Sequence, residues 1–153
     1  MDFDRVMTRL NPLIVGLLRS PLHRIASSGL LVLTVTGRRT GRRYSIPLGY
    51  QPLSKDRLVI LVSKARRKQW WRNYIDEADT EVVLRGRLRR GRAVVVAAGT
   101  DAFRDHAAIT LARLPMLAGQ FGIAGSVKDG LSEEQLQTLE REIAVVAVAL
   151  APQ

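Results

Sequence analysis

Apolar positions change their period several times along the chain, and each change predicts an element. From Phe3 to Ile25 the apolar residues Val6, Met7, Leu10, Ile14, Leu17, Leu18 and Leu22 recur at helical spacing, broken at Pro12 and Pro21. Two or three short helical pieces are therefore expected over residues 1–28. Leu30–Thr36 (LLVLTVT) is β-branched, apolar and stopped by Gly37, which reads as a strand followed by a turn. Arg43–Gln51 resumes an extended pattern around Pro47, and Arg57–Ser63 (RLVILVS) is the strongest strand in the chain. After a basic loop at 64–69, Trp70–Asp76 predicts one or two helical turns, and Glu81–Arg87 a strand. The polar RLRRG stretch predicts the turn of a hairpin whose return strand is Gly91–Ala98. Asp101 is a suitable cap for a helix over 102–114, closed by Pro115. Gly119–Gly130 reads as loop, Ser132 with Gln135 as a capping box opening a helix to about Arg141, and Ile143–Leu150 as a closing strand. The sum is an α+β, mainly β chain: six short antiparallel strands in a small barrel with flanking helices, not a series of βαβ units.

With 153 residues, 46% of them hydrophobic, the chain suits a single domain over 1–153 with one substantial core. No apolar run approaches the roughly 20 residues that a spanning helix needs. The absence of cysteine excludes disulfides and thiolate chemistry, and two histidines, His23 and His106, leave little for a metal. Neither histidine is given a role. The N-terminus begins acidic and offers no small-residue cleavage site, so the expected location is the cytoplasm.

Charge sharpens this picture. Between Arg38 and Arg92, 16 Lys and Arg stand against 5 Asp and Glu, whereas the rest of the chain holds 8 against 9. Twenty of the 24 cations are Arg, whose planar fork suits phosphate and carboxylate. A surplus confined to one third of the length points to an anionic partner: nucleic acid, phospholipid or a phosphorylated small molecule.

The sequence lacks GxGxxG, GxxxxGK[ST], GxSxG and HExxH, and Asp76, Glu77, Asp79 and Glu81 read as a solvated edge and not an acid–base pair. If there is catalysis, a bound cofactor supplies the reactive atom. Two segments stand out. Gly37-Arg38-Arg39-Thr40-Gly41-Arg42-Arg43 combines two glycines, four arginines and a hydroxyl, which makes either an anion nest or a basic hairpin tip in solvent. Ser63–Asn73 (SKARRKQWWRN) sets a hydroxyl at a strand end, a cationic loop, two adjacent indoles and an amide, which suit a flat heterocycle. Trp70 and Trp71 point in different directions on a helix, so one can be core and the other ligand-facing.

GRRTGRRYSIP, a hydrophobic strand ending in Ser, and WWRN together resemble the deazaflavin-dependent nitroreductase family, also called F420H2-dependent quinone reductases. The resemblance is good over about residues 30–90. It implies a split β-barrel of the FMN-binding type that binds coenzyme F420, a deazaflavin whose tail carries a phosphate and glutamates. By that resemblance Arg38, Arg39 and Thr40, with Gly41 and Arg43 beside them, hold the phosphate. Tyr44, Ser45, Ile46, Pro47 and Leu48 flank ring and tail. Leu61, Val62, Ser63 and Lys64 lie near the redox-active ring, and Gln69, Trp70, Trp71 and Asn73 close the pocket. The implied reaction is hydride transfer from the reduced deazaflavin to a small-molecule acceptor, a quinone or nitroaromatic, with no covalent catalyst and no metal. The chain departs from the family pattern in two places. Tyr44 occupies a position where the family often has Arg, and no Tyr follows Tyr74 to furnish the substrate pocket, for which the apolar 114–123 segment is a substitute. A nucleic-acid-binding basic module is the rival reading, and the same barrel holding FMN, haem or a lipid is another. The N-terminal helices, with Arg5, Arg9, Arg19 and Arg24, could touch an anionic membrane surface or simply cover the barrel. A homodimer is compatible with the sequence.

Overall fold

The computed structural model describes residues 29–123 and 130–153, so the helices expected over 1–28 lie outside the described residues. Seven strands are present: β1 Leu30–Thr36, β2 Arg43–Gly49, β3 Gln51–Pro52, β4 Arg57–Val62, β5 Ala78–Leu84, β6 Arg87–Val96 and β7 Ala144–Leu150. They form one antiparallel sheet in the order β2-β1-β5-β6-β7-β4-β3. β2 and β3 stand at opposite edges of that order, yet only Tyr50 separates them in the chain. The single extended run expected over Arg43–Gln51 is broken at Tyr50, whose N–H donates to the Gly29 carbonyl (3.1 Å). Its two halves pair with different neighbours, β1 on one side and β4 on the other. This break turns six predicted strands into seven, and it curls the sheet into a split barrel.

Period-two alternation decides what fills the barrel. Leu31, Leu33 and Val35 of β1, Leu58, Ile60 and Val62 of β4, Val82 of β5, Ala93 of β6 and Val146 and Val148 of β7 all point inward and are buried. A second apolar layer lies outside the sheet. There Val59 and Val145, on the opposite parity, meet helices α1 (Asp101–Arg113), α2 (Pro115–Gln120) and α3 (Glu133–Glu142) through Phe103, Ala107, Leu111, Ala118 and Leu139.

Several local expectations shift. The β5–β6 hairpin turns at Arg85-Gly86, both with positive φ (50° and 77°), and not within RLRRG. That stretch instead belongs to β6, whose arginines at 87, 89, 90 and 92 fall on both faces of the strand where a polar turn was expected. The α1 cap is Thr100, one residue before the expected Asp101: its hydroxyl accepts from the Phe103 N–H (3.2 Å). The capping box at Ser132 and Gln135 forms as expected, and β7 is a strand. The 119–130 stretch is not wholly loop, since α2 runs to Gln120.

Gly91 marks a close approach of β6 to β7. A Cβ there would overlap the Ala149 carbonyl oxygen and lie 3.1 Å from the Leu150 Cα. Because backbone cannot swing aside as a side chain can, Gly91→Ala is expected to destabilise the fold by about 1–3 kcal/mol. Urea unfolding would read this as a lower midpoint at unchanged slope. An unchanged midpoint would mean that the two strands are not so tightly apposed.

Candidate active site

The split in the barrel is built by pairing that stops. β3 pairs with β4 only at Gln51–Val59 and Pro52–Leu58, while β2 pairs with β1 alone. From Tyr50 toward Arg43 on one side and Val62 on the other, β2 approaches β4 without pairing. Residues 44–48 are accordingly all half-buried. Two 3-10 turns, Ala65–Arg67 and Trp70–Tyr74, close the wide end of the split. Ala65, Trp70 and Tyr74 plug the barrel interior there, Trp70 and Tyr74 in an edge-to-face contact at 6.4 Å. These side chains fill the barrel interior at this end.

Tyr74 anchors this plug. Its hydroxyl bonds Thr80 Oγ1 (2.9 Å), which donates to the Thr34 carbonyl (3.0 Å). Burial pushes the Tyr74 phenol above its ordinary pKa.

The bend that joins β1 to β2 lies beside the plug, and Asn73 fastens them together. The Arg38 N–H donates to Asn73 Oδ1 (2.9 Å), while Asn73 Nδ2 donates to the Trp70 carbonyl (3.0 Å) and reaches Tyr44 Oη (3.4 Å). Asn73 was expected to close the pocket; both ends of its carboxamide are engaged by protein, and it joins bend to plug. The bend's amides are largely engaged as well. The Gly37 N–H donates to the Arg42 carbonyl, Gly41 to Gly37, and Arg42 to the Thr40 hydroxyl (2.8, 2.8 and 3.2 Å). Of the two readings of the bend, anion nest or basic tip, the structure shows exposed guanidiniums around a turn whose Thr40 hydroxyl accepts from within it.

The other expected residues divide by side. Tyr44, Ile46 and Leu48 face the barrel and Val62 is buried in it, whereas Leu61 faces outward and packs under the helices. Ser45 lies on the outer face, 3.0 Å from Thr34 Oγ1, and Arg43 there pairs with Glu81 (2.8 Å). Pro47 is half-buried. Beyond β4, Ser63 accepts from Lys68 Nζ (3.4 Å), and Lys64 adopts a left-handed conformation (φ 51°). Burial, and then the neighbouring Lys64 ammonium, hold Lys68 below its usual pKa. Trp70 is the core indole of the pair. Trp71 is half-buried, donates to the Ala65 carbonyl (2.9 Å) and lies under Arg72 at 5.4 Å. Gln69, exposed, accepts from Arg72 (2.9 Å). The 114–123 segment does not approach the split: Leu117, Ala118, Phe121 and Ile123 pack in the outer layer.

Electrostatics at the split are one-sided. Arg38, Arg39 and Arg42 on the bend, and Lys64, Arg66 and Arg67 beyond β4, are exposed, and none has a carboxylate within ion-pair distance among the described residues. On the outer sheet face, by contrast, Arg43, Arg90 and Arg92 are paired, Arg92 with Glu77 and Asp79. Cations gathered without counter-charge constitute a donor set for an oligoanion. No group of three or more potential metal ligands occurs among the described residues. No helix among them is long and apolar enough to cross a membrane.

Solved structures carry the same fold. The F420-H2 dependent reductase FDR-A superposes with TM-score 0.56 at 15% identity, over 79% of this chain and 94% of its own. A protein solved as a domain-swapped dimer does so with TM-score 0.50 at 16% identity, over 88% and 98%. Among curated proteins no sequence match is found. Residues 19–113 match the F420H(2)-dependent quinone reductase family, and the chain belongs to that family. It is accordingly an oxidoreductase that uses coenzyme F420. The donor set at the split fits that coenzyme: unpaired guanidiniums suit its phosphate and glutamates, and the seam beside Trp71 suits a flat ring.

Proposed function

We propose that the chain acts as one unit that oxidises F420H2 with a quinone-type or nitroaromatic acceptor, using the split as its cofactor site. The observation that carries this reading is the row of uncompensated cations on both rims of an unpaired seam. Arg38 and Arg39 would hold the phosphate, and Arg42, Lys64, Arg66 and Arg67 the acidic tail. The inward faces of Ile46 and Leu48, the Ser63–Lys64 backbone and the Trp71 indole would flank the ring. When bound, the reduced coenzyme supplies a hydride, and a proton from solvent completes the reduced acceptor. The protein's part is positional: the clasp at Asn73 sets the distance from bend to plug, and the filled barrel keeps water off one face. With no acid–base pair at the seam, no side chain need change its covalent state. A cytoplasmic location and pairing of two copies belong to the same reading, the latter in keeping with a relative solved as a domain-swapped dimer.

Anaerobic mixing of the protein with F420H2 and menadione, or with a nitroimidazole, tests the acceptor class. Menadione-dependent loss of the reduced cofactor's absorbance is expected. Cofactor that binds but is oxidised by neither compound would overturn the acceptor assignment while leaving the cofactor site intact.

A further inference from the structure

The barrel end remote from the basic bend carries a cavity of about 430 Å³, within the range of small-ligand sites. Its apolar lining comes from Tyr50, Leu58, Leu84 and Leu150. Five cations, Lys55, Arg57, Arg85, Arg87 and Arg89, line the rest, and no acidic side chain does. Arg89 is the buried member, its side chain 9% exposed. Its Nη2 donates to Asp56 Oδ1 (2.7 Å) and the Ala151 carbonyl (3.0 Å), and its Nη1 to the Lys55 carbonyl (3.3 Å), while Nε is buried without a partner. Asp56 is thereby committed to Arg89. The other four cations have no ion-pair partner among the described residues. Arg85 adds a second anomaly. It occupies a left-handed position (φ 50°) at which hairpin turns select Asn, Asp or Gly, so the turn itself does not account for an arginine there.

We propose that this cavity binds a small amphiphilic anion, with a carboxylate or phosphate head held by the arginines and an apolar body against Leu58, Leu84 and Leu150. β1 runs the length of the barrel, so the cavity lies about 20 Å from the bend, and its ligand does not compete with F420.

Calorimetric titrations with decanoate, decyl phosphate, decanol and inorganic phosphate test this, with amide NMR shifts locating the contact. Both amphiphilic anions are expected to bind at least about tenfold more tightly than decanol, with shifts at residues 50–58 and 84–89. The tighter of the two assigns the head as carboxylate or phosphate ester. Arg57→Gln with Arg85→Gly should weaken them about tenfold, while F420 affinity is unchanged. If that pair does not fold, Arg87→Gln alone is read in the same way. Decanol binding as tightly as decanoate, inorganic phosphate as tightly as decyl phosphate, variants that bind like the parent, or shifts centred on residues 38–73 would each overturn the proposal.

Discussion

Arg38→Gln with Arg39→Gln is expected to weaken F420 binding about a hundredfold while leaving thermal stability unchanged. Both side chains are exposed and have no ion-pair partner among the described residues, so the folded protein alone gains nothing from their charge. A charge-assisted hydrogen bond contributes about 1.5–3 kcal/mol, less where water competes, and two such bonds to one phosphate make the hundredfold estimate. The salt dependence of binding should flatten in parallel, because fewer charges remain to be screened. Fluorescence titration of the cofactor, with a thermal melt of each variant, checks both halves. A double variant that binds F420 like the parent would place the phosphate elsewhere.

Asn73→Ala is expected to weaken F420 binding about tenfold or more and to cost about 1–2 kcal/mol of stability, since three contacts are lost at a half-buried position. Asn73→Asp separates two explanations. Aspartate keeps the acceptor for the Arg38 N–H, so a purely structural clasp would be partly rescued. If the anionic tail lies beside the clasp, stability should recover in part while cofactor affinity falls below that of the alanine variant, because a carboxylate there opposes the tail's charge. The measurement is a chemical melt paired with a titration for each variant. An aspartate protein that binds better than the alanine protein would contradict the anionic-tail placement.

What the sequence discloses, and what it withholds, follows from the range of the forces involved. The strands are legible because apolar runs such as Leu30–Thr36 and Arg57–Val62 are local statements, and the burial of consecutive residues on both faces of each strand agrees with them. The β5–β6 turn falls elsewhere than expected because Arg85 is a poor advertisement for a left-handed residue, whereas the RLRRG stretch mimics a loop in composition. The break at Tyr50 has no local signal: it exists because two neighbours claim the two halves of one extended run. At the site, the arginine surplus is visible from composition alone. The sidedness of Ser45 and Leu61 is not, since parity has meaning only once the barrel interior is known. Asn73 stands out in the sequence as a site residue, but its partner lies 35 positions away, and no spacing rule reveals that its amide is committed to Arg38. The cavity around Arg89 is invisible in the sequence for the same reason, because it gathers residues from two separate hairpins and the C-terminal strand.

The central claim is that uncompensated cations along the open seam hold an anionic redox cofactor. Titrating the intact protein with F420 by fluorescence, at low and then rising salt, tests it most directly. Saturable binding at low salt is predicted, weakening steadily as salt screens the guanidiniums. No binding at low salt, or binding indifferent to salt, would contradict it.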